Sequence, residues 1–152
     1  TISRNGDLVH RMYLEMSDSS TTATTCANLG TALVNSVELE IGGQKIDKHY
    51  GHWMEVWSEL SEPNSSGHGV RMNAGGHTIG GTNFQNMSLS GGVGGDTTTS
   101  SHGLIRLPLQ FWFCRNPGLA LPLIALQYHE VKVITEFQVE TQINRWCDDN
   151  YA

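Results

Sequence analysis

The sequence lacks the clusters of basic residues that nucleic-acid binding requires. Its 152 residues carry 9 lysines and arginines against 15 aspartates and glutamates, which gives a formal net charge of −6. Proteins that hold DNA or RNA neutralise phosphates with grouped Lys and Arg side chains. We therefore expect no direct contact with nucleic acid. A run of about 18 apolar residues is also missing, so no membrane insertion is predicted.

Cysteine is scarce as well. Cys26, Cys114 and Cys147 are odd in number and widely spaced, which fits neither a disulfide framework nor a zinc-binding pattern. We interpret them as three reduced thiols of a protein assembled in a reducing compartment. The length suits one domain. Because the chain starts at Thr1 and stops at Ala152, just after an apparent strand, we expect it to be a piece of a longer protein.

Catalytic motifs are absent too. The sequence has no G-x-S-x-G elbow for a nucleophilic serine and no cysteine with a marked partner. The glycine run at 91–95 does not match a phosphate-binding loop, because neither Lys-Ser nor Lys-Thr follows it. We therefore predict no catalytic residue, no cofactor and no enzymatic activity.

The seven histidines suggest a metal site as an alternative. His49 and His52 are three residues apart, with Asp47 and Glu55 nearby. A zinc site needs three or four ligands, and no second cluster with ligand spacing is present. A metal-binding jelly-roll enzyme is therefore an alternative that depends on the histidines alone.

What the sequence does contain is a long apolar stretch at 105–139. Its first part alternates, which predicts a strand with one buried face. That face carries Ile105, Leu107, Leu109, Phe111 and Phe113. Turn residues at 115–118 separate it from a second apolar run, which ends in alternation up to Val139. We predict a β-hairpin of two long strands over 104–139. Its outward faces still carry Trp112 and Ile134, so a second sheet or a neighbouring protein should cover them.

Two shorter segments also alternate. A strand is predicted at about 8–16. At 33–48, Val37, Leu39 and Ile41 alternate with glutamates, and Gly42-Gly43 follows. Two glycines can both take positive φ, which favours a tight hairpin. A bulge within one long strand is the alternative.

A change of period at 51–60 predicts a short helix. Trp53, Val56, Trp57 and Leu60 form one helical stripe, which we interpret as core packing across a sheet edge or an end of a sandwich. Pro63 should end the helix.

Residues 64–103 differ from the rest of the chain in composition. They hold 11 of the 17 glycines and almost no charge. We predict an exposed Gly/Ser/Thr-rich loop insertion that projects from one end of the domain and buries little. Asn64 and Asn86 fit the sugar-acceptor pattern, so they are candidate glycosylation sites.

Three blocks of this sequence closely resemble the major capsid proteins of nucleocytoplasmic large DNA viruses, the algal-virus branch in particular. They are ISRNGDLV at 2–9, VELEIGGQKIDKHY at 37–50 and PLQFWFCRNPGLALPLIALQYHEVKV at 108–133. The resemblance implies an all-β fold: an antiparallel jelly-roll β-sandwich, half of a double jelly roll. Residues 1–152 would then be a partial N-terminal jelly-roll domain, with the loop between two strands at the outward end, where the family often carries sugars.

The same resemblance implies a structural function. Such subunits form homotrimers that contact neighbouring capsomers, and minor capsid proteins are further expected partners. The trimers tile an icosahedral shell over an internal membrane. The expected location is the capsid of the virion, assembled in the cytoplasm of the host cell. A carbohydrate-binding β-sandwich module, suggested by the Trp and Tyr residues and the polar loops, is the alternative.

Overall fold

The computed structural model describes residues 1–17, 29–62, 71–72, 78–79, 88 and 104–139, and these residues form mainly antiparallel strands with few helices. In chain order the elements are β1 (Leu8–Val9), β2 (Tyr13–Ser17), α1 (Leu29–Ala32), β3 (Val34–Ile41), β4 (Gln44–Tyr50), α2 (Gly51–Ser61), β5 (Arg71–Met72), β6 (Thr78–Ile79), β7 (Leu104–Pro108), α3 (Trp112–Arg115), a 3₁₀ turn (Pro117–Leu119), β8 (Leu121–Pro122) and β9 (Val131–Phe137).

The largest sheet has three strands in the order β4-β3-β9, all antiparallel. The predicted hairpin between β3 and β4 is confirmed, with Gly42 at φ 59° and Gly43 at φ 82°. A bulge is present as well, because Glu40 pairs with Lys45 whereas Leu39 pairs with Asp47. Ile46 therefore has no residue opposite it, and the strand changes face at this point.

The prediction of a single strand at 8–16 is wrong in detail. β1 pairs with β8, and β2 pairs with β7, so the chain leaves one partner for another between Val9 and Tyr13. Each of these two sheets has two strands. In β2, Leu14 and Met16 are half-buried against the core, while Tyr13 is exposed.

The predicted hairpin over 104–139 is wrong. β7 pairs with β2 and β9 pairs with β3, so the two strands never meet. The chain between them contains α3, the 3₁₀ turn, β8 and further turns. Prolines explain part of this interruption, because Pro108, Pro117 and Pro122 cannot donate to a ladder.

The pattern of burial in this stretch was nevertheless predicted correctly. All five residues of the predicted inner face are buried, and Phe111 and Phe113 are completely enclosed. Their rings stack with centroids 5.5 Å apart. Phe111 and Phe113 join Val37 and Leu39 of β3 in one core cluster. Alternate residues therefore remain buried beyond Pro108, where β7 ends. Trp112 is half-buried and packs edge-on against Phe113, and Ile134 is exposed.

The helix predicted at 51–60 is present, but its buried face is not the predicted one. Gly51, Met54 and Ser58 are buried, whereas Trp53 is 38% exposed and Leu60 is 74% exposed. The reason is close packing at the start of α2. A Cβ on Gly51 would collide with the carbonyl oxygens of Thr31 and Val34, so α2 approaches the core through the face that begins at Gly51 and continues with Met54 and Ser58.

Residues 71–72 and 78–79 pair as a two-stranded antiparallel ribbon. Ser88 is completely buried, and its carbonyl lies where a Cβ on Gly30 of α1 would stand. Ser88 is therefore one buried residue within 64–103, and the exposed loop insertion as a whole stays a prediction. The candidate glycosylation sites Asn64 and Asn86, and also Cys26 and Cys147, lie outside the described residues. Among the helices that the structure describes, none is both long and apolar enough to cross a bilayer.

Candidate interaction surfaces

The outer face of the β4-β3-β9 sheet carries paired charges. Glu38 of β3 lies opposite Lys48 and accepts ion pairs from Lys45 and Lys48, each at 2.7 Å. Hydrogen bonds from Lys45 and then Lys48 hold the pKa of the Glu38 carboxyl below its usual value. The same contact with Glu38 raises the pKa of Lys48. These charges are satisfied within the sheet.

A second set of charged residues links β3 to β9. Lys132 approaches Glu130 at 3.0 Å and Glu40 at 3.7 Å. A hydrogen bond from Thr1 and another from Lys132 lower the pKa of Glu130, and the Glu130 carboxylate raises the pKa of Lys132. Exposed pairs of this kind contribute little to the stability of the fold.

The surface at the β1–β8 ribbon is apolar, in contrast to the charged face of the three-stranded sheet. Val9 and Leu121 pair on the inner side and pack on the core, so their neighbours Leu8 and Pro122 point outward. Chain continuing from β8 adds Ile124 and Tyr128, which are 65% and 87% exposed. No charged residue occurs between positions 116 and 128. We call Leu8, Leu119, Pro122, Ile124 and Tyr128 the apolar surface.

Leu8 and Pro122 are paired across the ribbon, and Ile124 and Tyr128 follow in the same charge-free stretch. Exposed apolar residues that form one patch mark contact sites. The residues are held in place by backbone hydrogen bonds. Leu123 N–H donates to the Asp7 carbonyl at 2.9 Å, and His129 N–H donates to the Leu126 carbonyl at 2.9 Å. The apolar surface is therefore attached to the core on its inner side, and its outer side is not covered by the residues that the structure describes.

A cleft of about 430 Å³ lies between α2 and the chain at 107–115. The Arg115 guanidinium stacks over the Trp57 ring at 4.4 Å and donates to the Gln110 carbonyl at 3.3 Å. Cys114 also lines it, and burial raises the pKa of that thiol. A raised pKa reduces the thiolate that a nucleophile needs, so this cysteine is poorly suited to covalent catalysis.

The structure separates the four residues that suggested a metal site. His49 is buried and its Nε2 accepts from the Gln110 N–H, whereas His52 lies exposed beside Trp53 on α2. Asp47 accepts from the Lys48 amide at 2.8 Å, and Glu55 accepts from the Thr31 hydroxyl at 2.9 Å. Within the described part of the chain, no group of three or more His, Cys, Asp and Glu side chains could hold a metal ion.

Comparison with known proteins gives consistent results. The family model described as "Major capsid protein N-terminus" matches residues 1–150. The major capsid protein of Pyramimonas orientalis virus is 49% identical over 138 residues, which cover 90% of this chain and 32% of that protein. The major capsid protein of Paramecium bursaria Chlorella virus 1 is 39% identical over 138 residues, which cover 87% of this chain and 26% of that protein.

A solved structure is similar as well. The quasi-atomic model of the PBCV-1 virus capsid matches 91% of this chain and 30% of its own chain, with a TM-score of 0.62 and 38% sequence identity. The all-β jelly-roll prediction is confirmed by this match and by the strands themselves. The chain spans about a third of the length of the relatives it matches.

Proposed function

This chain belongs to the major capsid protein family of large DNA viruses, because the family's N-terminal model matches residues 1–150, and we propose that it is part of a structural subunit of a viral capsid shell. Residues 1–152 form part of an N-terminal jelly roll, with 64–103 as a loop insertion. The complete subunit is a double jelly roll that trimerises and packs against neighbouring capsomers and minor capsid proteins. Assembly takes place in the cytoplasm of the host cell.

The observation that carries this proposal is the apolar surface at the β1–β8 ribbon. A shell subunit gains its binding energy from buried area repeated at many contacts, and stable interfaces bury on the order of 1,200–2,000 Å² with an apolar centre. Leu8, Ile124 and Tyr128 supply exposed apolar area of this type. We assign the apolar surface to the contact with a neighbouring subunit.

Substitution of Ile124 by Asp in the full-length subunit tests this assignment. A carboxylate at the centre of an apolar contact loses its water without gaining a partner, so assembly should weaken. Because Ile124 is 65% exposed, the fold itself should tolerate the change. We expect light scattering after size exclusion to show loss of trimers or larger assemblies, while circular dichroism keeps the strand signal.

The matched control is Gln44→Glu, which adds a charge at an exposed position of the β3–β4 hairpin. It should leave assembly unchanged. An Ile124→Asp subunit that unfolds would place the apolar surface against the rest of its own chain instead. A folded variant that assembles like the unmodified protein would show that the apolar surface is not a subunit contact.

The carbohydrate-binding alternative is not favoured, because the similar proteins are capsid proteins. Sugar attachment at Asn64 and Asn86 stays a prediction, which intact-mass measurement before and after glycosidase treatment would check.

A further inference from the structure

The side chain of His49 joins two parts of the core that are far apart in sequence. It lies on β4 opposite Val37 of β3 and is only 5% exposed. Its Nε2 accepts a hydrogen bond from the Gln110 N–H at 3.4 Å, and its ring meets Phe111 edge-on with centroids 4.7 Å apart. The imidazole therefore links the three-stranded sheet to the segment that leads from β7 into α3.

The bulge in β4 is what brings His49 to this position. Without it, the register of the Gly42-Gly43 turn would continue, and His49 would lie opposite Ser36 on the face of the sheet that carries Glu38 and Glu40. The bulge at Ile46 shifts the pairing by one residue, so Lys48 faces outward beside Glu38 and His49 faces the core. A shift of one residue moves every later side chain to the other face of the sheet.

The hydrogen bond fixes the tautomer of the ring. Because Nε2 is the acceptor, the proton of the neutral imidazole is on Nδ1. Nδ1 is buried and has no hydrogen-bond partner among the residues that the structure describes. Protonation would thus add a positive charge to an apolar site, and it would also turn the acceptor at Nε2 into a second donor that faces the Gln110 N–H. The contact cannot survive in that form.

The charged groups near the His49 ring do not offset the cost of protonating it. Asp47, two residues earlier on β4, favours the protonated ring, while Arg115 of α3 opposes it. The residues that face His49 from β3 and from the segment before α3 are Val37, Gln110 and Phe111, and none of them titrates. Burial is the largest cause and lowers the pKa of His49 to about 4.

We propose that His49 is an acid-sensitive contact, which holds the 109–113 segment and α3 against the three-stranded sheet while neutral and releases them when protonated. The direction of the pH dependence of stability follows from proton linkage. A histidine whose folded pKa is depressed stabilises the fold at pH values above its unfolded pKa, and the stabilisation is lost as pH falls toward the folded value. The sensitive window therefore lies between about pH 6.5 and pH 4.

The first test is stability against pH in the full-length subunit. Between pH 7 and pH 4 the unfolding constant should rise on the order of a hundredfold through this residue alone. His49→Gln keeps an acceptor for the Gln110 N–H and cannot be protonated, so it should remove that part of the pH dependence. His52→Gln, at an exposed histidine three residues away, is the matched control and should leave the pH dependence intact.

The second test needs no variant. Histidine NMR of the unmodified protein should show the His49 ring neutral, with its proton on Nδ1, down to about pH 4. Hydrogen exchange, corrected for the intrinsic effect of pH, should then show the Gln110 amide losing protection before the β3 amides. Titration of His49 at the ordinary histidine pKa would overturn the proposal, as would an unchanged pH profile in His49→Gln.

Discussion

Two regions of this protein have equally clear hydrophobic alternation but opposite pairing behaviour. The β3–β4 hairpin pairs with itself across Gly42 and Gly43. The strands of 104–139 pair with β2 and β3, which are far away in sequence. Alternation thus shows which side of a segment is buried, and it does not show which strand lies next to it.

The difference has a physical basis in the turns. Two adjacent glycines with positive φ specify a two-residue connection, and their neighbours must then pair. The residues 115–118 form the end of α3 and a 3₁₀ turn, in which Asn116 accepts from the Gly118 N–H at 2.9 Å. Such a turn redirects the chain without bringing the flanking strands into register, so distant contacts decide their positions.

The largest effect should come from breaking the distant contacts. Phe111→Ala removes a completely buried ring that packs on Phe113 and His49. We expect chemical denaturation of the full-length subunit to show a loss of about 3–5 kcal/mol in the free energy of unfolding. Tyr128→Ala removes a ring of similar size from the same part of the chain.

Tyr128 is 87% exposed, so in the Ile124→Asp background, where the proposed subunit contact is already absent, its replacement should change the stability of the subunit by less than about 0.5 kcal/mol. Equal losses for Phe111→Ala and Tyr128→Ala would show that the predicted inner face does not carry the packing energy of 104–139.

A smaller effect should come from the junction between the hairpin and α2. A Cβ at Gly51 would overlap the carbonyl oxygens of Thr31 and Val34, so Gly51→Ala requires the backbone to shift. We expect about 1–3 kcal/mol of destabilisation, as for other overpacked sites. Gly6→Ala is the control, because nothing lies within 4 Å of its Cβ position. A variant at Gly51 as stable as the one at Gly6 would contradict the close packing.

The smallest effect should come from the local turn. Gly43 has φ 82° with open space around its Cβ position, so Gly43→Ala costs backbone strain alone. We expect about 1 kcal/mol in a thermal or chemical denaturation measurement. Gly43→Asn should recover part of the loss, because asparagine adopts this conformation more readily. If Asn is no better than Ala, the turn is not what limits the hairpin.

The candidate sites show the same difference between what local sequence spacing predicts and what tertiary contacts decide. Sequence spacing grouped His49, His52, Asp47 and Glu55, but the structure places His49, Asp47 and Glu55 in separate hydrogen bonds and His52 at an exposed position of α2. The apolar surface was missed, since the run at 119–128 was assigned to the second long strand of the predicted hairpin. The signal that could have found it is the combination of no charge with Pro117 and Pro122, which argues against a continuous strand.

The amino-acid sequence determined the alternation of buried and exposed residues, the position of the β3–β4 turn and the family resemblance. Only the tertiary structure decided which strands pair, which face of α2 is buried and that His49 points inward. The physical reason is that periodicity and turn propensity are local properties. Pairing of distant strands, close approach at Gly51 and the bulge at Ile46 depend instead on how the whole core fits together.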